Sequence, residues 1–159
     1  MKNDKREMVM QIKKGFVRVR IGALIYHDGS LLLVHHKKED RDYWLMPGGG
    51  LEAAESIEEC IKREMLEETG YEVEPGKLVF TSETLYPGRE RHIVHMNFLA
   101  TITGGNPRKP DDERVAEHRF VSLEEFKGLK FYPNIKNEII EAVKNGFSGG
   151  ALHLGLRWE

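Results

Sequence analysis

Glu64, Glu67 and Glu68 stand in an i, i+3, i+4 relation inside the run Gly49 to Tyr71, so a helix here sets three carboxylates on one face. Like charges at that spacing repel, and an i,i+4 pair of them costs an isolated helix about 0.2–0.5 kcal/mol. A divalent cation relieves the repulsion, and hard carboxylate oxygens suit Mg²⁺ or Mn²⁺. A solvated acidic face is the competing reading, and the helix alone does not exclude it.

The segments that must position this face carry signals of their own. Trp44-Leu45-Met46-Pro47-Gly48-Gly49-Gly50 puts a proline and three glycines just ahead of it. Ser56 is a favourable N-cap and Glu59 completes an S-x-x-E capping box. With Gly70 as the stop, the helix is expected over Ile57 to Thr69. Lacking Cβ atoms, the glycines let backbone N–H and C=O groups come close to a ligand. Exposed backbone at one end and carboxylates along one face make a loop–helix–loop unit.

Gly49, five residues, Glu55, seven residues, then Arg63-Glu64-Met65-Leu66-Glu67-Glu68-Thr69-Gly70-Tyr71 resembles the Nudix box at every defined position. The surrounding chain, roughly Phe16 to Val143, is similar to a whole Nudix domain, and Ala54 stands where many members carry glycine. The resemblance implies an α/β (α+β) fold, the Nudix-type α/β/α sandwich with a mixed sheet. It implies hydrolysis of a nucleoside diphosphate linked to another moiety, with Mg²⁺ (or Mn²⁺) as cofactor. Glu64, Glu67, Glu68 and the carbonyl of Gly48 are the implied metal ligands, Glu64 serving as ligand or as the base that activates water. Arg63 is implied to hold a box carboxylate such as Glu55 rather than to touch substrate. Members of the family also recruit an acidic residue from a distant loop. Of Asp111, Asp112, Glu113 and Glu117, Glu113 is chosen, against the plainer reading of an acidic surface loop.

ADP-ribose or a nucleotide sugar leads as substrate, because Pro87 lies near where ADP-ribose-hydrolysing members resemble one another in carrying a proline. Tyr86 lies close to where dinucleoside polyphosphate hydrolases show a tyrosine, and Pro87-Gly88 is also an ordinary hairpin turn. Dinucleoside polyphosphates and nucleoside triphosphates are therefore alternatives. A non-catalytic nucleotide-sensing module is an alternative of another class, although the box is intact and no helix-turn-helix is visible.

Arg18 and Arg20 share one face of the first strand. Inward arginines are costly unless paired, so these two suit the wall of an anionic ligand. Arg89, Arg91 and His92 follow the Pro87-Gly88 turn and suit phosphates, a partner subunit or simply a charged hairpin tip. Trp44 or Tyr43 is placed to stack on a base or to pack.

The 159 residues are 40% hydrophobic with a net charge of −2, which fits one domain with a real core and argues against a general nucleic-acid binder. No apolar run is long enough for a membrane span and the N-terminus lacks a signal-peptide core, so a cytoplasmic location is expected. The lone Cys60 has no internal disulfide partner. A polar arm is expected over 1–14, the domain over 15–147 and a tail over 148–159. Strands are expected at Phe16 to Tyr26, Leu31 to His36, Lys77 to Tyr86, His92 to Thr103 and Glu117 to Val121. The turn at His27-Asp28-Gly29-Ser30 and a charged loop at Lys37 to Asp42 break the early ones. Ser122 caps a short helix, and Asn134 to Asn145 reads as an amphipathic one.

Gly146-Phe147-Ser148-Gly149-Gly150 has the letters of a nucleophile elbow but follows a helix rather than a core strand. His35-His36 and His92/His95 lack zinc spacing, and no P-loop is present. In the tail, Leu152, Leu154, Leu156 and Trp158 alternate, which favours a strand on a sheet edge of this chain or of a homodimer partner.

Overall fold

The computed structural model of the chain describes residues 16–89 and 91–157; the arm expected at 1–14 and Trp158 lie outside them. β1 (Val17–Leu24), β2 (Tyr26–His27), β3 (Ser30–Lys38), β4 (Arg41–Leu45) and β5 (Gly48–Gly50) precede α1 (Ile57–Thr69). β6 (Tyr71–Leu85), β7 (His92–Gly105) and β8 (Val115–Ser122) follow, then α2 (Leu123–Gly128), α3 (Lys136–Lys144) and β9 (Leu152–Leu156).

The mixed sheet is present, in the order β5-β1-β7-β6-β9, with β1 parallel to β7 and β6 parallel to β9. A second, antiparallel sheet joins β2, β3 and β4, with β8 on the other edge of β3. Strand alternation decides which core each residue joins. Ile21 and Ala23 of β1 pack with Cys60, Ile61 and Met65 of α1. Leu24, on the opposite face, packs with Phe126 of α2 and Ile139 of α3. Helices thus flank the strands on both sides, and each buried Leu, Ile or Phe contributes roughly 1.5–3 kcal/mol. Arg18 and Arg20 share the Leu24 face but lie nearer the start of β1, where that core gives way to a cleft.

Local chemistry explains the connections. Asp28 and Gly29 both take positive φ (47° and 78°), the two-residue turn that matches hairpin twist. Ser56 and Glu59 make both hydrogen bonds of the capping box, and Gly70 ends α1 at φ 79°. Two expectations need correction. Lys37 to Asp42 is not a loop: Lys37 pairs with Asp42 and Lys38 with Arg41, so only Glu39 and Asp40 form the turn. A run of charged residues does not interrupt a ladder whose backbone bonds are satisfied. β6 begins at Tyr71 rather than Lys77, the Pro75-Gly76 step being taken up by register shifts against β7. The tail does form a strand, β9, on the β6 edge of this chain, with Gly155 at φ 67° where its register shifts.

Candidate active site

Close backbone approach is what brings the box carboxylates to the strands. Gly48 has φ 150°, and a Cβ there would lie 2.0 Å from the Ile21 carbonyl oxygen. A Cβ on Gly49 would lie 2.1 Å from Glu64 Oε1. Gly48 N–H donates to Glu68 Oε2 at 2.9 Å, so loop and helix are joined through the carboxylate itself. The glycines were expected to admit a ligand; their first service is to admit the helix.

Arg63 is the hub of the box. Its Nε and Nη2 grip Glu55 in a fork at 2.6 and 2.9 Å, Nη1 reaches Glu64 at 2.7 Å and Glu67 at 3.4 Å, and Nη2 also donates to the Gly50 carbonyl. The expected pairing with Glu55 is what the structure shows. Through that fork the Glu55 carboxyl is held down at about 2. Glu68 is the opposite case: it is only 5% exposed, and burial pushes its pKa up to about 8 despite Arg20 and the Gly48 N–H. Glu67 is also raised, by burial and then by Glu64.

Across the cleft stands a rim of arginines. Arg20 donates to the carbonyls of Met46 and Gly48 at 2.9 and 3.2 Å. Among the described residues no carboxylate pairs with Arg18, whose pKa is lowered by burial and then by Arg91, Arg20 and Arg114. Arg91 lies over the Tyr86 ring at 5.1 Å, and Arg114 grips Asp112 at 2.6 Å. Arginines crowded along one edge favour an incoming anion. Rim and carboxylate face enclose a cleft of about 740 Å³.

The loop after β7 completes the wall by capping α1. Asn106, Arg108 and Asp111 donate backbone N–H groups to the carbonyls of Gly70, Thr69 and Glu67, and the Arg108 guanidinium bonds Leu66. Apart from that of Leu66, which Gly70 N–H already reaches, these are carbonyls that a helix end leaves without intrahelical partners. The same bonds set Asp111 and Asp112 on the cleft.

Of the residues expected from sequence, Glu64, Arg63, Glu67, Glu68, Gly48, Arg18, Arg20 and Arg91 line this one cleft. Three are placed elsewhere. Glu113 does not line it, because the adjacent Asp112 is turned inward and fixed by Arg114. Arg89 is off the cleft, in the short turn that follows Tyr86. Trp44 is buried, stacked on His35 at 4.4 Å with Arg119 4.7 Å above the ring, so it packs rather than receives a base. Arg114, His36, His95 and Tyr132 were missed, although all line the cleft. Strand alternation puts His36 on one face with Val34, but only the fold shows what that face meets. Burial and Arg20 push His36 down to about 4, which keeps it neutral.

Ala54 has φ 62°, which explains why glycine suits this position. Ala54→Gly removes Cβ crowding, so thermal unfolding is expected to show a gain of about 0.5–1 kcal/mol, a rise of roughly 2–4 °C. A lower melting temperature would show that the left-handed turn is not strained.

A strand-flanked helix bearing this box, and a cleft edged by carboxylates on one side and arginines on the other, define the class. The family profile described as NUDIX domain matches residues 17–143, and the chain belongs to that family. It is 30% identical over 116 residues to the ADP-ribose pyrophosphatase of Methanocaldococcus jannaschii, covering 71% of this chain and 66% of that protein. A Caenorhabditis elegans relative is 33% identical over 141 residues, which cover 81% of this chain but 37% of the relative. The chain thus spans less than two thirds of both. A NUDIX hydrolase structure from Nitrosomonas europaea superposes with a TM-score of 0.72 at 23% identity, covering 82% of this chain and 90% of that one, which is a likeness of fold.

Proposed function

We propose that the chain is a metal-dependent hydrolase of the pyrophosphate bond in a nucleoside diphosphate linked to another group, with ADP-ribose or a nucleotide sugar favoured. The observation that carries this reading is the opposition of Glu64, Glu67 and Glu68 to Arg18, Arg91 and Arg114 across one cleft. A diphosphate needs both edges, one to hold anions and one to hold the cations that neutralise them. The relative named an ADP-ribose pyrophosphatase supports this substrate class.

The donors fit a hard divalent ion. Glu68 is a carboxyl that burial pushes up to about 8, a cost that a cation beside it would relieve, and every candidate ligand around it offers oxygen. Among the described residues no group of three or more acids or histidines is gathered as a metal cage, since Glu64 and Glu67 turn to Arg63. Glu68, Glu67, Glu64, the Gly48 carbonyl and Asp112 would hold Mg²⁺ or Mn²⁺. When bound, such an ion supplies charge neutralisation at phosphoryl oxygens and acidifies water. The protein's own part is to orient the diphosphate on Arg18 and Arg91 and to take the proton of the attacking water on a cleft carboxylate, Glu64 or Glu67. Water adds to one phosphorus, the bridging P–O bond breaks, and two phosphate monoesters leave.

The test is a panel of ADP-ribose, a nucleotide sugar, a nucleoside triphosphate and a dinucleoside polyphosphate with Mg²⁺ or Mn²⁺, reading AMP, phosphate and pyrophosphate. Release of AMP without pyrophosphate from ADP-ribose is expected. If wild type and Glu68→Gln are equally inert on every member, a nucleotide sensor replaces this reading. A homodimer joined through the outer edge of β9 belongs to the same proposal, since Leu152 and Leu156 are exposed there. An unchanged solution mass and stability after truncation at Gly149 would remove it.

A further inference from the structure

We infer that the C-terminal segment, through Arg157 just after β9, is part of the substrate site: it fixes His95 as a hydrogen-bond acceptor on the cleft floor for a hydroxyl or N–H group of the ligand's non-phosphate portion. This rests on the cleft being a nucleoside diphosphate site, as proposed above.

His95 sits on β7 between Arg20 of β1 and Ser82 of β6 in the ladder. It is 1% exposed, yet it lines the cleft. Its Nε2 lies 3.1 Å from Thr84 Oγ1, and Thr84 Oγ1 donates to the Arg157 carbonyl at 2.9 Å. A carbonyl only accepts, and a hydroxyl has a single proton to give. Thr84 therefore commits its proton to Arg157 and accepts from His95. The ring hydrogen is then on Nε2, and Nδ1 carries the lone pair. The Tyr132 hydroxyl lies beside Thr84 and Tyr86.

The tail holds this arrangement from outside. Arg157 N–H donates to the Glu83 carbonyl at 2.8 Å, and its guanidinium pairs with Glu138 of α3 at 3.0 Å. The Arg157 carbonyl is thus pinned between β6 and α3. Burial first, and then the charges of Arg20 and Arg91, favour the neutral ring at ordinary pH. With Nε2 turned to Thr84, we assign Nδ1 to the side of the ring that lines the cleft. A lone pair there repels phosphate oxygens, which are acceptors themselves, and attracts donors such as sugar hydroxyls. Arg18, Arg91 and Arg114 on the rim have the opposite preference. The ligand is thereby oriented, with phosphates at the rim and the neutral part over His95.

The experiment is ring-nitrogen NMR on the isotope-labelled full chain, joined to ADP-ribose kinetics, for wild type, Thr84→Val, Thr84→Ser and His95→Gln. Wild type and Thr84→Ser are expected to show the Nε2–H tautomer, and Thr84→Val a mixture of both. Losing one neutral hydrogen bond raises KM for ADP-ribose about tenfold in Thr84→Val, with kcat near its wild-type value and Thr84→Ser rescued. His95→Gln, whose amide still donates to Thr84 but has no acceptor at the Nδ1 position, raises KM alike while its melting temperature stays near wild type. An Nδ1–H tautomer in wild type, or an unchanged KM in Thr84→Val and His95→Gln, overturns the inference. Should wild type fail to turn over ADP-ribose, the proposed function fails, and the inference is then read from AMP titration alone. A shift of the His95 Nδ1 resonance on saturation supports it, and no shift overturns it.

Discussion

Glu68→Gln is expected to lower Mg²⁺-dependent turnover by about a thousandfold, roughly 4 kcal/mol of barrier, while making the metal-free protein more stable. The two effects come from one atom pair. The amide keeps an oxygen to accept from Gly48 N–H, so the loop–helix junction survives, but the charge that would hold a cation is gone. Stability moves the other way because the wild-type carboxyl is buried and its pKa stands at about 8 in the folded chain. Below the ordinary value of about 4.5 the group is protonated in both states, and burial costs nothing through titration. As pH rises from there, the unfolded chain sheds its proton and the folded chain keeps it, so a penalty builds and is complete only above about pH 8. Thermal unfolding without metal should therefore show a gain for Glu68→Gln that approaches about 4 kcal/mol at pH 8 and shrinks toward zero near pH 4.5. Added Mg²⁺ should stabilise wild type and leave the variant unmoved. Wild-type turnover in Glu68→Gln would remove Glu68 from the metal, and a pH-independent stability difference would remove the buried-charge account.

What could be read in advance divides along the range of the interactions. The bounds of α1, its capping box and its glycine stop are set within one turn of chain, and they were legible to the residue. The Asp28-Gly29 hairpin was legible for the same reason. The rim was legible as far as alternation on β1, which named Arg18 and Arg20, and the turn at Pro87-Gly88, which pointed to Arg91. Arg114 and His95 reach the cleft because β8 pairs with β3 and β7 runs parallel to β1, and neither pairing leaves a local mark. The choice between Glu113 and Asp112 was beyond any local rule, since one step along the loop reverses which side chain faces in. Arg114 and the bonds to the end of α1 decide it. Trp44 failed for a similar reason: Arg119, which covers it, comes from a strand far along the chain.

Arg63→Ala is expected to cost both stability and rate, and this combination separates it from Glu68→Gln. The guanidinium balances Glu55, Glu64 and Glu67 together, and the Glu55 fork ties the loop before α1 to the middle of the helix. Without it, three carboxylates face one another and nothing holds Glu64 against Gly49. Turnover should fall about a hundredfold, with a drop in melting temperature of roughly 5 °C. Arg63→Lys restores the charge but not the planar fork, so it should recover part of the stability and little of the rate. The acid limb makes the cause visible. Glu55 is held down to about 2 in the folded chain, so its contribution is present above the ordinary value of about 4.5 and is lost as pH falls from there toward 2. Wild type should lose stability over that window, and Arg63→Ala should lose distinctly less. Identical acid limbs would mean that the fork seen on Glu55 adds nothing to folding. The rate loss would then have to come from Glu64 and Glu67 alone, where Arg63 holds the cluster together and a cation would take over its charge.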